Sequence, residues 1–147
     1  MAESAAFKDA SGKLLFTVFI NASTYDCGWP VKRNVVESGD VPGLVSGGWS
    51  PVYHYALYAE EPAGGSGPGT ICTLALVRAV PVDGPGMLRG LPEGGPMPAE
   101  TWTGPYFIAV ELGPDVEKCG SVADAKAWWA SSEGQQIKAA VASLTAG

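Results

Sequence analysis

From Trp49 to Glu60 the chain reads Trp-Ser-Pro-Val-Tyr-His-Tyr-Ala-Leu-Tyr-Ala-Glu, with an apolar or aromatic side chain at most positions. Successive side chains of an extended segment point to opposite faces, so Tyr53, Tyr55 and Leu57 share one face and Val52, His54, Ala56 and Tyr58 the other. Neither face is plainly polar. This predicts a strand covered on both sides, by a helix on one and by loops, a second sheet or a partner on the other. Thr70 to Val80 repeats the pattern, apolar on both faces except at Arg78, and the Gly-rich turn Ala63 to Gly69 brings it back beside the first. These two strands are expected to form the middle of a sheet.

Upstream, Ala5 to Lys8 and Lys13 to Ile20 flank Asp9-Ala10-Ser11-Gly12, a hairpin signal with Leu14, Phe16, Val18 and Ile20 as the core face. Between Asn21 and Trp49 the punctuation by Gly28, Pro30, Gly39, Pro42, Gly43, Gly47 and Gly48 leaves room only for a short strand at Val31 to Val36. Pro81 to Pro105 is a long Gly/Pro-rich segment with room for a brief strand at Glu100 to Thr103, and Tyr106 to Leu112 is a further strand closed by Gly113-Pro114. The period then changes. Ser121-Val122-Ala123-Asp124 resembles a capping box, and Val122, Ala125 and Trp129 repeat at helical spacing. Ser132-Glu133-Gly134-Gln135 offers a second box before the stripe Ile137, Ala140, Val141 and Leu144, predicting two helices or one kinked near Gly134. The expected fold is α+β over one domain, 1–147: an antiparallel sheet of about five strands with one or two C-terminal helices packed on one face.

The length suits that reading, since a chain of 147 residues buries roughly two-thirds of its unfolded surface on folding. Charge narrows the partners. Only 16% of residues are charged and the net charge is −6, with no basic run to meet a phosphate backbone or an anionic membrane. No nucleic acid and no membrane is therefore expected, and no apolar run reaches the roughly 20 residues of a membrane span. The opening Met-Ala-Glu-Ser carries an acid where a signal peptide needs positive charge. Three well-separated cysteines, Cys27, Cys72 and Cys119, suit reduced thiols, which with the absent signal points to a cytoplasmic protein.

Candidate chemistry is sparse. His54 is the only imidazole and hence the cheapest acid or base, although a histidine among strand aromatics is more often a buried, hydrogen-bonded side chain. Cys27 beside Asp26 and Gly28 is a nucleophile candidate whose only imidazole base is His54; an ordinary buried cysteine is the commoner role. Three cysteines and one histidine would complete a zinc set, but no two are spaced as paired ligands, so no metal is expected. Cys119 precedes a helix start, which favours its thiolate modestly. Gly84-Pro85-Gly86-Met87-Leu88-Arg89-Gly90 lacks the strand and helix that a dinucleotide fingerprint requires, and no cofactor is expected.

Two functions from different classes follow. The first is a non-catalytic structural or assembly subunit, working with a protein partner or as a homo-oligomer. It docks through the Gly/Pro-rich arm at 81–105 and an apolar sheet face, with Met87, Leu88, Leu91, Met97 and Trp128 as interface residues. The second is a small-molecule binder or enzyme with an aromatic pocket lined by Tyr53, His54, Tyr55, Tyr58 and Trp49.

Overall fold

A computed structural model describes residues 3–20, 30–45, 52–62, 69–87, 108–116 and 119–145. The described elements are β1 (Glu3–Lys8), β2 (Leu14–Ile20), β3 (Pro30–Val45), β4 (Val52–Pro62), β5 (Ile71–Val77), β6 (Gly84–Met87), β7 (Ile108–Leu112), α1 (Val122–Ala130) and α2 (Ser132–Ala142). The class is α+β, as the patterning predicts. The strands form two antiparallel sheets, ordered β1-β2-β7 and β5-β4-β3-β6, with the two helices packed against them. The expected strand at Glu100 to Thr103 lies outside the described residues.

The first hairpin forms because Asp9 organises its turn. Its carboxylate accepts from the backbone N–H of Ser11 and of Lys13 at 2.9 and 3.0 Å, and from the Ser11 hydroxyl at 2.6 Å. Gly12 then takes φ +90°, a left-handed conformation that costs glycine nothing. Register shifts between Phe7 and Lys8, with Leu14 opposite Lys8 and Phe16 opposite Phe7, so Leu15 is the extra residue of a bulge. Leu15, Phe16 and Val18 are all buried.

The long connection is where the structure departs most from the punctuation. β3 runs unbroken for 16 residues through Gly39, Pro42 and Gly43. Each breaker has a local reason to be tolerated. Gly39 lies opposite Tyr55, whose ring covers it so closely that a Cβ would stand 2.7 Å from the ring. Pro42 and Gly43 fall in the irregularity between Val41 and Val45, where no ladder partner is required of the missing N–H. A second irregularity at Val36 changes parity. Before it Val31, Arg33 and Val35 share a face with Glu60 and Tyr58; after it Ser38 and Asp40 share that face with Ala56 and His54.

β4 is therefore the two-sided strand expected, with every residue from Tyr53 to Glu60 buried. It lies between β3 and β5, whereas β5 is an edge strand of its sheet, so the expectation that both strands are central holds for β4 alone. One face of β4, with Tyr53, Tyr55, Leu57 and Ala59, joins a single core made with Phe16 and Val18 of β2, Leu74 and Leu76 of β5, Val110 of β7 and the helices. Residues of β5 and β7 come within 8 Å of each other at Cα, bringing the edges of the two sheets together.

Ser121 caps α1 by accepting from the Asp124 N–H at 3.1 Å, as its sequence predicts. The second cap is Ser131, one residue before the expected Ser132, and it both ends α1 and accepts from the Gly134 N–H. The result is two helices. Gly134 is packed against the backbone of Trp128 and Trp129, which lets α2 start close to the end of α1. Ile137 and Val141 of the predicted stripe are fully buried.

Candidate functional site

The register of β3 against β4 sorts the polar side chains of this region into two sets. On the face away from the helices, Asp40 lies opposite His54 and Arg33 opposite Glu60, with Ala56 and Tyr58 between. His54 Nδ1 is 3.0 Å from an Asp40 carboxylate oxygen; the imidazole is buried while the Asp40 side chain is 69% exposed. Arg33 donates through Nε to Glu60 at 2.9 Å, and the two side chains are 4% and 0% exposed. The Arg33 guanidinium also lies 5.1 Å from the centre of the Tyr58 ring, a cation–π arrangement.

The opposite face carries the second set. Glu37, opposite Leu57, accepts from the Trp129 indole N–H at 2.6 Å, from the Lys138 ammonium at 3.0 Å and from the Tyr55 hydroxyl at 3.3 Å. Burial pushes the Glu37 carboxyl up, but the hydrogen bonds from Trp129, Lys138 and Tyr55 and the charge of Lys138 outweigh it, leaving its pKa below the ordinary value. The Tyr55 phenol is pushed up by burial and by the Glu37 charge. Tyr53 accepts from Arg78 Nε at 3.2 Å, with the guanidinium 5.5 Å from its ring centre.

These contacts locate the expected site residues. Tyr53, His54, Tyr55 and Tyr58 are consecutive or near neighbours on β4, but the strand divides them between two faces, with Tyr53 and Tyr55 on one and His54 and Tyr58 on the other. All four are buried, at 3 to 7% exposure. Trp128 is buried at 6% exposure, with its indole N–H donating to Glu133 at 3.0 Å, so it belongs to the chain's own core. Met87 closes β6, paired with Pro30 of β3 at the edge of the four-stranded sheet. Trp49, Asp26, Cys27, Leu88, Leu91 and Met97 lie outside the described residues.

Sequence reasoning missed Arg33, Glu37, Asp40 and Glu60. The signal available was charge inside strands of a chain with only 16% charged residues, where each such position demands a partner. In the His54–Asp40 pair a carboxylate orients an imidazole, an arrangement that general bases use. Among the described residues no three His, Cys, Asp or Glu side chains are grouped to hold a metal ion, and no helix is long and apolar enough to cross a membrane.

The expectation of three free cysteines is overturned. Cys72 of β5 and Cys119 form a disulfide, with Cα atoms 5.6 Å apart. Spacing along the chain gave no sign of it, because the pairing depends on β5 meeting the segment after β7. The bond borders a cleft of about 910 Å³ whose walls include Leu14, Thr17, Thr70, Ile71, Glu111 and Val116. Of the residues expected to line an aromatic pocket, the four described, Tyr53, His54, Tyr55 and Tyr58, do not line it.

The fold and these clusters define an α+β protein with two antiparallel sheets. Comparison with protein-family models, with curated proteins and with solved structures gave no match.

Proposed function

We propose that this chain is a non-catalytic structural or assembly subunit that associates with a protein partner or with further copies of itself. One observation carries the reading: Tyr53, Tyr55 and Tyr58, which would line a ligand pocket, are buried and engaged by the chain's own charges. Tyr53 meets Arg78, Tyr55 meets Glu37, and Tyr58 lies under Arg33. Aromatic surface committed in this way stabilises the fold and offers little to a small molecule. Exposed apolar groups lie elsewhere, with Val80 and Val82 at 68% and 75% exposure where the Gly/Pro-rich segment begins, just before its strand β6. Apolar side chains presented next to a neutral segment suit contact with another chain.

The cleft favours a second reading, small-molecule binding, at a site other than the one expected around His54. Cytoplasmic residence loses its main support once two of three cysteines are bonded, and it is retained only together with a reversible disulfide.

The test is deletion of Leu88 to Met97 with a short Gly/Ser closure, which spares β6 and β7. Assembly through this segment predicts a native mass that falls to that of the monomer while the melting temperature changes little. Unchanged association after the deletion refutes docking through the arm. A monomeric parent protein that gains thermal stability with a small ligand supports the cleft instead.

A further inference from the structure

The Cys72–Cys119 disulfide closes a span of 47 residues and ties an edge strand to the segment leading into α1. Its two ends differ. Cys72 is half-buried on β5, whereas Cys119 is 5% exposed and stands two residues before the Ser121 cap. Both sulfur-bearing residues line the cleft, together with Thr17, Thr70 and Glu111. Cys119 belongs to the buried core and Cys72 packs against it, so the bond lies where the core meets the cleft wall, and a small thiol in the cleft approaches it from that side.

From this placement we propose that the disulfide is exchange-competent and that Cys72 is its point of attack. A low-molecular-weight thiolate entering the cleft bonds to Cys72 Sγ, the Cys72–Cys119 bond breaks, and its electron pair leaves with Cys119 as a thiolate. The product is a mixed disulfide on Cys72. A second small thiolate attacks the outer sulfur, releasing the Cys72 thiolate and the oxidised small disulfide. Two electrons pass to the protein, and the two protons shed by the attacking thiols are taken up by Cys72 and Cys119. The direction follows from access and from the leaving group: Cys72 is the less buried of the two residues, and a thiolate near a helix N-terminus is the better one to expel.

Opening the bond breaks no ladder hydrogen bond: Cys72 pairs with Ala59 through its backbone, and Cys119 is in none of the ladders. Gly113 still donates to Leu15 O at 2.8 Å, holding the start of the segment to β2. Residues 69–72 and 119–120, which all line the cleft, lose their covalent tie. Reduction therefore widens the junction between the two sheets without unfolding either.

The experiment exposes the native, oxidised full chain to excess reduced glutathione without denaturant, quenches with acid, and maps adducts by peptide mass spectrometry, with far-UV circular dichroism in parallel. The expected result is a glutathione adduct on Cys72 exceeding that on Cys119 by about tenfold or more, with the dichroism unchanged. A Cys27→Ser variant is expected to give the same pattern. A disulfide that yields only after urea unfolds the chain, an adduct mainly on Cys119, or loss of the Cys72 adduct in the Cys27→Ser variant each overturns the proposal.

Discussion

Gly134→Ala pits two known effects against each other, and the structure decides the sign. In an unconstrained helix the exchange stabilises, by about 1 kcal/mol at an interior position and less in the first turn, where Gly134 sits three residues after the Ser131 cap. Here the added methyl has no room. A Cβ at Gly134 would stand 2.5 Å from the Trp129 Cα and 2.6 Å from the Trp128 carbonyl oxygen, and nearer still to the Trp129 carbonyl oxygen. All three are backbone atoms of the preceding helix, so no rotamer change relieves the overlap. The Trp129 carbonyl also accepts from the Gln135 side chain at 2.8 Å, and displacing it strains that bond too. Overpacking of this kind costs about 1 to 3 kcal/mol, occasionally more, which exceeds the propensity gain. The net expectation is a loss of about 1 to 2 kcal/mol, or on the order of 5 °C in melting temperature for a domain of this size. Urea unfolding under non-reducing conditions, followed by tryptophan fluorescence and circular dichroism together, measures it. Gln136→Ala, exposed on the same helix, is the control and should stay within about 0.5 kcal/mol of the parent. A Gly134→Ala protein as stable as the parent, or more so, would refute the close approach of the two helices.

Two further perturbations test the polar clusters. Glu60→Leu removes the carboxylate to which Arg33 donates in a buried site and should cost about 3 to 5 kcal/mol, whereas the double variant Arg33→Met/Glu60→Leu should recover most of that loss; a double variant whose cost equals the sum of the Arg33→Met and Glu60→Leu costs would show that the pair is not coupled. Glu37 has a folded-state pKa below its ordinary 4.5, so its contribution to stability is complete above that value and is lost as pH falls through the lowered one. The indole N–H resonance of Trp129, which donates to Glu37, should report a midpoint below 4.5 in an acid titration, and a midpoint at or above it would contradict the network.

How much of this was legible depended on whether the controlling interaction was local. The first hairpin, the burial of β4 on both faces and the α1 cap all follow from residues within a few positions of one another, and the sequence patterns find them. β3 was foreshortened to Val31–Val36 because Gly39, Pro42 and Gly43 are breakers by propensity, while the features that admit them come from elsewhere: the Tyr55 ring over Gly39, and a ladder irregularity around Pro42. The parity change at Val36 hid the site in the same way. Read with a constant period of two, Arg33 and Asp40 fall on opposite faces; with the extra residue they share one. His54 was found from its rarity, but its partner was not, since Asp40 reaches it only through that register. The disulfide is the extreme case, a contact between residues 47 apart in a chain whose cysteine count alone suggested none.

The same parity change gives the buried ion pair a structural role. β3 meets β4 over a long antiparallel ladder with irregularities at two places, and a strand containing glycines on a two-sided partner has weak side-chain cues to choose among neighbouring registers. Arg33 and Glu60 supply a strong one. In the observed register they face each other at 2.9 Å, just before the extra residue at Val36; a slip by one position carries Arg33 to the apolar face of Leu57 and Ala59 and leaves Glu60 without its guanidinium. Two charges that contribute little net stability when paired cost several kcal/mol when separated in a buried site, so the pair acts mainly by penalising the wrong alignment. That penalty keeps Asp40 opposite His54 and Glu37 opposite Leu57, from where it reaches Trp129 and Lys138 of the helices. The polar residues of β3 and β4 thus fix the alignment on which the packing of sheet against helix depends.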